Sequence, residues 1–108
     1  MGRANLGELE EQVLLTLLRL GGESYAVQVA DALETLTGRD VSPATAFMVM
    51  RRIEHRGLVT SRVGDPDPSW GGRPRRFYHA RLKAVVPLLR ASRSARLMLW
   101  KGLEELLD

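Results

Sequence analysis

The stretch that decides the fold is residues 42–80, which read SPATAFMVMRRIEHRGLVTSRVGDPDPSWGGRPRRFYHA. A helix begins at Ser42-Pro43, because the serine side chain caps free backbone amides and a proline at the first helical position loses no hydrogen bond. This helix is predicted to run to His55, with Gly57 ending it. Its buried stripe is apolar and consists of Ala46, Met50 and Ile53, with Phe47 beside them.

The second half of the stretch predicts two strands joined by a long loop. Residues 58–63 are rich in β-branched side chains in near alternation with polar ones, and residues 76–80 form the returning strand. Between them, residues 64–74 are rich in Gly, Pro, Asp and Ser, which is typical of a loop. Because this loop is too long for a tight hairpin, it is predicted to project from the body as a wing.

Two further helices are predicted before this stretch. The first has an apolar stripe at spacings of three and four, with Asn5 as its predicted cap and Gly21-Gly22 at its end. The second is predicted to be capped by Ser24 and closed by Gly38. The stripe of the first helix is Leu6, Leu9, Val13, Leu17 and Leu20, and the inward positions of the second are Tyr25, Val29, Leu33 and Leu36.

A helical pattern returns after the stretch. Pro87 lies inside this pattern, so the helix is predicted to begin near Val86 or to kink there. The chain is therefore predicted to be mainly α with a small β-hairpin: a winged helix-turn-helix domain at residues 1–81 and a C-terminal helical dimerisation segment at residues 82–108. The apolar stripe of that segment is Leu82, Val86, Leu89, Leu97, Trp100, Leu103 and Leu107.

Positive charge is concentrated in the predicted winged part of the chain. Residues 42–81 carry 8 basic and 3 acidic side chains, whereas residues 1–41 carry 3 basic and 7 acidic ones. This asymmetry indicates an anionic partner for the middle segment, such as nucleic acid. A solvated basic face without a partner is the alternative on charge alone.

The third helix carries the side chains that are predicted to read DNA. In a helix-turn-helix, the second helix of the motif enters the major groove. Thr45, Met48 and Arg52 are three and four residues apart and share a face, and Arg51 or Arg52 can pair with guanine or phosphate. In the alternative, this face is only solvated and Glu54 pairs with Arg51. The predicted contacts are Ser42, whose helix start can hold a phosphate, and Thr45, Met48, Arg51 and Arg52.

The wing places arginines beside glycines. Glycine allows a backbone to approach a phosphodiester closely, and arginine can neutralise a phosphate or enter a minor groove. Asp65 and Asp67 oppose this role and are predicted to lie at the far tip, while Trp70 is predicted to pack on the strands rather than stack on a sugar. The predicted wing contacts are Arg62, Gly72, Arg73, Arg75 and Arg76.

No constellation of side chains predicts catalysis. The chain has no cysteine, which excludes thiolate metal sites, and its two histidines, His55 and His79, fall on different predicted elements. The apolar runs are too short to span a bilayer, and the N-terminus has no signal-peptide core. The chain is therefore predicted to be a cytoplasmic protein that is not an enzyme, without a cofactor, a metal ion or a membrane partner.

The C-terminal segment is predicted to bind a second copy of the chain. Its stripe would be exposed in a monomer, and such patches usually mark an interface. Two-fold pairing would bring two Trp100 side chains together, either as filler or as the floor of a pocket for a flat hydrophobic effector. The predicted interface residues are Leu89, Leu97, Trp100, Leu103 and Leu107.

Several short motifs together span residues 6–80. They are Leu6-Gly7-Glu8-Leu9-Glu10, Val13 to Leu18, Tyr25, Thr37 to Ser42, Arg52-Ile53-Glu54, Gly57-Leu58-Val59 and Gly71 to Tyr78. In combination they resemble the PadR family of bacterial and archaeal regulators. The resemblance implies a dimeric repressor whose C-terminal helix forms the dimer interface. The chain departs from the family at Ala46-Phe47, where Leu-Tyr is usual, and so lacks one hydroxyl that could contact phosphate or base.

The sequence thus predicts a sequence-specific DNA-binding transcriptional regulator, a repressor that binds an inverted-repeat operator in double-stranded DNA as a homodimer. The alternative is a winged-helix module that binds protein rather than DNA, since a fold does not determine a function. The two hypotheses differ in their salt dependence, because only phosphate binding releases counterions from the partner.

Overall fold

A computed structural model describes residues 5–66 and 68–108 of the chain, with only the backbone described at Trp70. The helices are α1 (Glu8–Arg19), α2 (Ala26–Thr37), α3 (Pro43–His55), α4 (Leu82–Trp100) and α5 (Glu104–Leu107). The strands are β1 (Glu23–Ser24), β2 (Val59–Pro66) and β3 (Pro74–Ala80), and a 3₁₀ turn at Pro68–Trp70 lies between β2 and β3. The molecule is mostly helical with a small antiparallel sheet, as predicted. We call the part from α1 to β3 the winged body.

The first three helices pack around a shared apolar core. Val13 and Leu17 of α1 are fully buried, as the spacing of its stripe predicts, and so is Leu14 beside them. All three cluster with Met50 and Ile53 of α3. Burying one such side chain completely stabilises the fold by about 1.5–3 kcal/mol. A second buried cluster lies between α2 and α3 and consists of Ala30, Leu33, Val41 and Ala46.

The starts of the first two helices differ from the prediction. Asn5 does not cap α1, because the Gly7 amide immediately before the helix donates to Glu10 Oε1 at 2.8 Å. Ser24 does not cap α2 either, because it lies in β1 and Tyr25 precedes the helix. In both places a local polar partner or strand pairing competes with the side-chain cap that the sequence suggests.

The end of α2 follows the prediction, but one of its side chains does not. Gly38 has a φ of +75° and closes the helix in the left-handed region, where glycine has no steric penalty. Leu36, predicted to face inward, is 52% exposed. It lies on the rim of an open groove between α1 and α2, one turn beyond Leu33, where the buried face of α2 ends.

β1 is a strand that the sequence did not predict. The sheet has the order β1-β3-β2, with Glu23 opposite His79 and Ser24 opposite Tyr78. Two residues are too few to display an alternating pattern, so the pairing depends on the tertiary fold. The short strand ties the start of α2 to the hairpin.

The hairpin is longer than predicted and its loop is shorter. The antiparallel register extends as far as Pro66 opposite Pro74, so residues 64–66 and Pro74, which were predicted to be loop, belong to the strands. The predicted strand boundaries are wrong at this end because proline is tolerated on an edge strand and at the first position of a strand. β2 is such an edge strand, and Pro74 is the first residue of β3.

α4 begins earlier than predicted. It starts at Leu82 and continues through Pro87, so the predicted start near Val86 is wrong. Val85 is fully buried and Leu89 packs against the main core. This packing offsets the loss of the one backbone hydrogen bond that a proline cannot donate.

The single C-terminal stripe that the sequence suggests is divided between two helices. α4 ends at Trp100, and Gly102 adopts a φ of +88° before α5 begins. Leu103 and Leu107 therefore do not continue the α4 stripe, because the glycine turn changes the direction of the chain. Among the helices described, none is long and apolar enough to cross a bilayer.

A buried carboxylate joins α4 to the winged body. Glu11 of α1 is 6% exposed and accepts hydrogen bonds from Ser92 Oγ at 2.7 Å and from Arg96 Nη1. Burial alone would raise the pKa of Glu11, but the hydrogen bonds from Arg96 and Ser92 and the charge of Arg96 outweigh it, so this pKa lies below its usual value. The middle of α4 is thus anchored to α1 by a charged contact.

Candidate nucleic-acid interface

The start of α3 is capped as predicted. Ser42 Oγ accepts a hydrogen bond from the Thr45 amide at 3.1 Å and lies 3.0 Å from the Thr45 hydroxyl oxygen. Pro43 occupies the first helical position. The Thr45 amide is used by the cap, the Ala46 amide donates to the Ser42 carbonyl oxygen and Pro43 has no N–H. A phosphate at this helix start would therefore find one open first-turn amide, that of Ala44.

α3 separates its inner face sharply from its outer face. Its inner side chains are buried in the core, while Thr45, Met48, Arg51 and Arg52 are exposed. Met48 is 64% exposed, which is unusual for a side chain of this size on a packed helix. The structure therefore brings the predicted DNA-contacting side chains of α3 together on one accessible surface. The buried inner side chains are Ala46, Val49, Met50 and Ile53.

The ion pair suggested between Glu54 and Arg51 does not form. Glu54 Oε2 instead accepts a hydrogen bond from Ser61 Oγ of β2 at 2.6 Å. The Arg51 guanidinium lies over the Phe47 ring, 5.9 Å from its centroid. The alternative in which Glu54 neutralises Arg51 on a solvated face is thus wrong, because the adjacent strand supplies a closer partner for the carboxylate.

The hairpin has two chemically different faces. Arg62 lies opposite Phe77 in the register, and Ser61 lies opposite Tyr78. Since side chains alternate along a strand, Arg75 shares the face of Phe77, whereas Arg76 shares the face of Tyr78. One face points toward the start of α2 and the other toward α3.

The face toward α2 is a ladder in which two aromatic rings in contact lie between two cations. The Arg75 guanidinium lies 4.4 Å from the Tyr25 ring centroid, and the Arg62 guanidinium lies 4.8 Å from that of Phe77. The two rings meet edge to face, with 5.5 Å between centroids. Arg62 also donates to Glu23 at 3.1 and 3.3 Å, so a contact from Arg62 to phosphate would require this ion pair to break.

The remaining wing residues are more open. Arg73 is exposed, and Gly72 has a φ of +75° with nothing within 4 Å of the position that a side chain would take. Arg76 donates to Ser61 Oγ at 3.1 Å on the face toward α3. Asp65 is exposed near the end of β2. Asp67 and the side chain of Trp70, for which the sequence made predictions, lie outside the described residues.

The C-terminal residues form an exposed apolar surface. Trp100 is 49% exposed and, with neighbouring leucines, lines a shallow cavity of about 240 Å³. Leu89 differs from the other predicted interface residues, because it is half-buried against the core of the same chain. Leu99 and Leu106 were not predicted as interface residues, although both are large apolar side chains near the end of the chain. We call this set the C-terminal surface: Leu97, Met98, Leu99, Trp100, Leu103, Leu106 and Leu107.

The residues that hold the hairpin in place were not predicted from the sequence either. Glu23, Tyr25 and Phe77 were not assigned this role, yet they fix Arg62 and Arg75 through the ladder. The alternation of Arg75 and Phe77 along β3 was a signal that these two side chains share a face. Within the described part of the chain, no group of three or more His, Asp or Glu side chains could hold a metal ion.

Solved structures of transcription regulators share this geometry, although no family model and no curated protein sequence matches the chain. A PadR family transcriptional regulator from Eggerthella lenta is 26% identical and superposes with a TM-score of 0.69, covering 94% of this chain and 87% of that chain. A PadR-like transcriptional regulator from Bacillus cereus is 19% identical with a TM-score of 0.68, covering 93% and 91% respectively.

A third similar structure is BpsR from Bordetella bronchiseptica, whose DNA binding is regulated by 6-hydroxynicotinic acid. It is 20% identical with a TM-score of 0.64, covering 96% of this chain and 72% of that chain. These similarities confirm the predicted winged-helix fold and the resemblance to PadR. The chain has the PadR-like winged-helix fold, and its structural neighbours place it with transcription regulators.

Proposed function

We propose that this chain, a PadR-like winged-helix protein, represses transcription by binding an inverted-repeat operator in double-stranded DNA as a homodimer. The observation that carries the proposal is the outer face of α3, where Thr45, Met48 and Arg52 are exposed on a helix whose inner face is fully packed. A helix held this way can place side chains against base edges in a major groove reproducibly.

The wing would add contacts that do not depend on base sequence. Arg73 is exposed beside a glycine with an open approach, which suits a contact between backbone and phosphodiester. Arg75 and Arg76 lie on opposite faces of the hairpin, and each is also engaged by a neighbour within the chain. We therefore assign sequence preference to α3 and charge neutralisation mainly to the wing.

The C-terminal surface would supply the dimer. An isologous pairing of two such surfaces buries the leucines that a monomer leaves in water. Two copies of α3 related by a two-fold axis would then meet successive major grooves, roughly 34–36 Å apart on DNA. The hydrophobic effector predicted from the sequence would lie in the shallow cavity that Trp100 lines on this surface.

The test is selection of bound duplexes from a random DNA pool, followed by footprinting of the protein on the most enriched duplex. We expect an inverted repeat with half-sites about one helical turn apart. An enriched but unsymmetrical single site would contradict the dimeric arrangement. If no duplex were enriched, and if any residual affinity for DNA did not change with salt concentration, DNA binding would be contradicted and the protein-binding module would be favoured.

A further inference from the structure

A polar cavity lies between α3 and the β2–β3 hairpin. Its volume is about 400 Å³, inside the usual range for ligand sites of roughly 300–1,000 Å³. The cavity exists only because the proposed recognition helix packs against the proposed wing, since each contributes half of its lining. The lining residues are Phe47, Arg51 and Glu54 from α3, with Ser61, Arg76 and Tyr78 from the hairpin.

Cationic groups outnumber anionic groups in this cavity. Arg51 and Arg76 contribute two guanidinium groups, whereas Glu54 contributes one carboxylate, which accepts a hydrogen bond from Ser61 at 2.6 Å. Among the residues that the structure describes, neither arginine forms an ion pair with a carboxylate. Each guanidinium has five N–H donors, so most of the donors in the cavity remain open to a ligand.

A buried hydroxyl without a partner forms part of the same lining. The Tyr78 side chain is completely buried, and within the described chain its hydroxyl has no hydrogen-bond partner. Burial raises the pKa of Tyr78, Glu54 raises it further, and Arg76 and Arg51 act in the opposite direction. The hydroxyl therefore lies among the charged groups of the cavity and keeps its proton at neutral pH. A buried donor of this kind is costly unless something accepts from it.

We propose that this cavity is an oxyanion site that holds a phosphate group. Arg51 and Arg76 bind its charge, and the Tyr78 hydroxyl donates a hydrogen bond to one of its oxygens. Guanidinium groups match phosphate through paired N–H donors, and the mainly polar lining favours such an anion over an apolar ligand. The group comes either from the DNA backbone, which would pass between recognition helix and wing, or from a free phosphate. Only the first source rests on the proposed function.

The first experiment uses inorganic phosphate and the full chain without DNA. Phosphate titrated at constant ionic strength against chloride should produce saturable NMR shifts at Ser61 and Tyr78. Tyr78→Phe should weaken this binding about tenfold or more, the size of a hydrogen bond to a charged group, without lowering stability, since the lost hydroxyl had no partner. Arg76→Gln should also weaken it. Tyr25→Phe is the matched control, because it removes the hydroxyl of a tyrosine that packs against the opposite face of the hairpin and keeps the ring that Arg75 contacts.

The second experiment separates the two sources. If DNA supplies the phosphate, Tyr78→Phe weakens binding to every duplex about equally, and inorganic phosphate competes with DNA beyond its effect on ionic strength. If a free phosphate is the ligand, Tyr78→Phe weakens phosphate binding alone. The proposal is overturned if phosphate gives no saturable shift and Tyr78→Phe binds DNA with the same affinity as Tyr25→Phe. It is also overturned if the phosphate-induced shifts persist in both Tyr78→Phe and Arg76→Gln. A chain that binds no DNA contradicts the proposed function, while the phosphate titration still decides the cavity.

Discussion

Leu14 and Leu17 of α1 are fully buried, whereas Leu97 and Leu106 near the C-terminus are 60% and 78% exposed. All four side chains are leucines, so the difference in their exposure comes from the surroundings that the fold provides at each position. The winged body surrounds its leucines with three helices and a sheet, while the last part of α4 extends past that body beyond Arg96. The chain therefore completes its own packing in one region and leaves it incomplete in the other.

The largest expected effect is on the packed region. Leu14→Ala removes a fully buried side chain and leaves a cavity, so it should lower the free energy of unfolding by about 2–5 kcal/mol. Leu36→Ala is the matched control, since Leu36 belongs to the same body but is half exposed, and we expect a clearly smaller loss. Urea unfolding of both variants measures the difference. Equal losses would mean that the two leucines are packed alike, contrary to the structure.

The next effect concerns the C-terminal surface. Leu97→Asp places a charge in the proposed interface and should weaken dimerisation by about 2 kcal/mol or more, roughly thirtyfold in the dissociation constant. Far-ultraviolet circular dichroism should show that the winged body stays folded. Sedimentation over a concentration series measures the dissociation constant of the dimer, and Leu36→Asp serves as the control for an exposed leucine elsewhere. A Leu97→Asp protein that sediments like wild type would remove this surface from the interface.

A similar contrast between fixed and open side chains occurs within the proposed DNA interface. Arg52 projects from a packed helix, whereas Arg73 lies in the glycine-rich loop. Arg52→Ala should reduce the difference in binding free energy between operator and scrambled duplex by about 1–3 kcal/mol, as expected when an arginine no longer pairs with a base. Arg73→Ala should instead weaken both duplexes equally and reduce the slope of log affinity against log salt by about one for each phosphate that is no longer neutralised.

Titrations of both variants on both duplexes at several salt concentrations measure these effects. If Arg73→Ala weakened only operator binding and Arg52→Ala weakened binding to both duplexes equally, the assigned roles would be reversed. If neither variant changed affinity, the wing and α3 would not be the nucleic-acid interface.

The smallest expected effect is at the junction of the two regions, where Glu11 joins α1 to α4. Its pKa is lowered in the folded protein, so it contributes stability above its unfolded pKa, and that contribution is lost as pH falls below about 4.5 toward the folded pKa. Glu11→Gln should therefore destabilise the protein more at pH 7 than at pH 3. Glu8→Gln is the matched control for loss of a carboxylate, because Glu8 lies on the same helix but is exposed. Unfolding at several pH values tests this, and parallel curves for wild type and Glu11→Gln would contradict it.

Much of the winged body was predictable from local rules. The cap at Ser42, the proline that follows it and the spacing of Met50 and Ile53 are short-range signals, and the structure bears out all three. The same rules failed where a short-range signal competes with packing. Pro87 indicated a helix start, but the burial of Val85 keeps α4 continuous through it.

The candidate nucleic-acid interface likewise has features that local rules predict and features that they do not. The outward position of Arg51 and Arg52 follows from helical periodicity, and the sequence predicts it. The partners of the wing arginines do not follow from periodicity. Arg62 reaches Glu23 across 39 positions of the chain, and no spacing rule links them. Only the register of the sheet brings them together.

By itself, the sequence determined the order of the first three helices, the two hairpin strands and the helix that follows them, together with the start of α3, the buried stripe of α1 and the concentration of positive charge in the middle of the chain. Each of these depends on residues within one or two turns or on simple composition. The tertiary structure alone decided the pairing of β1 and the cavity between α3 and the hairpin, which Tyr78 and Arg51 both line. These depend on contacts between residues distant in sequence, whose geometry is set by the packing of whole elements rather than by any local preference.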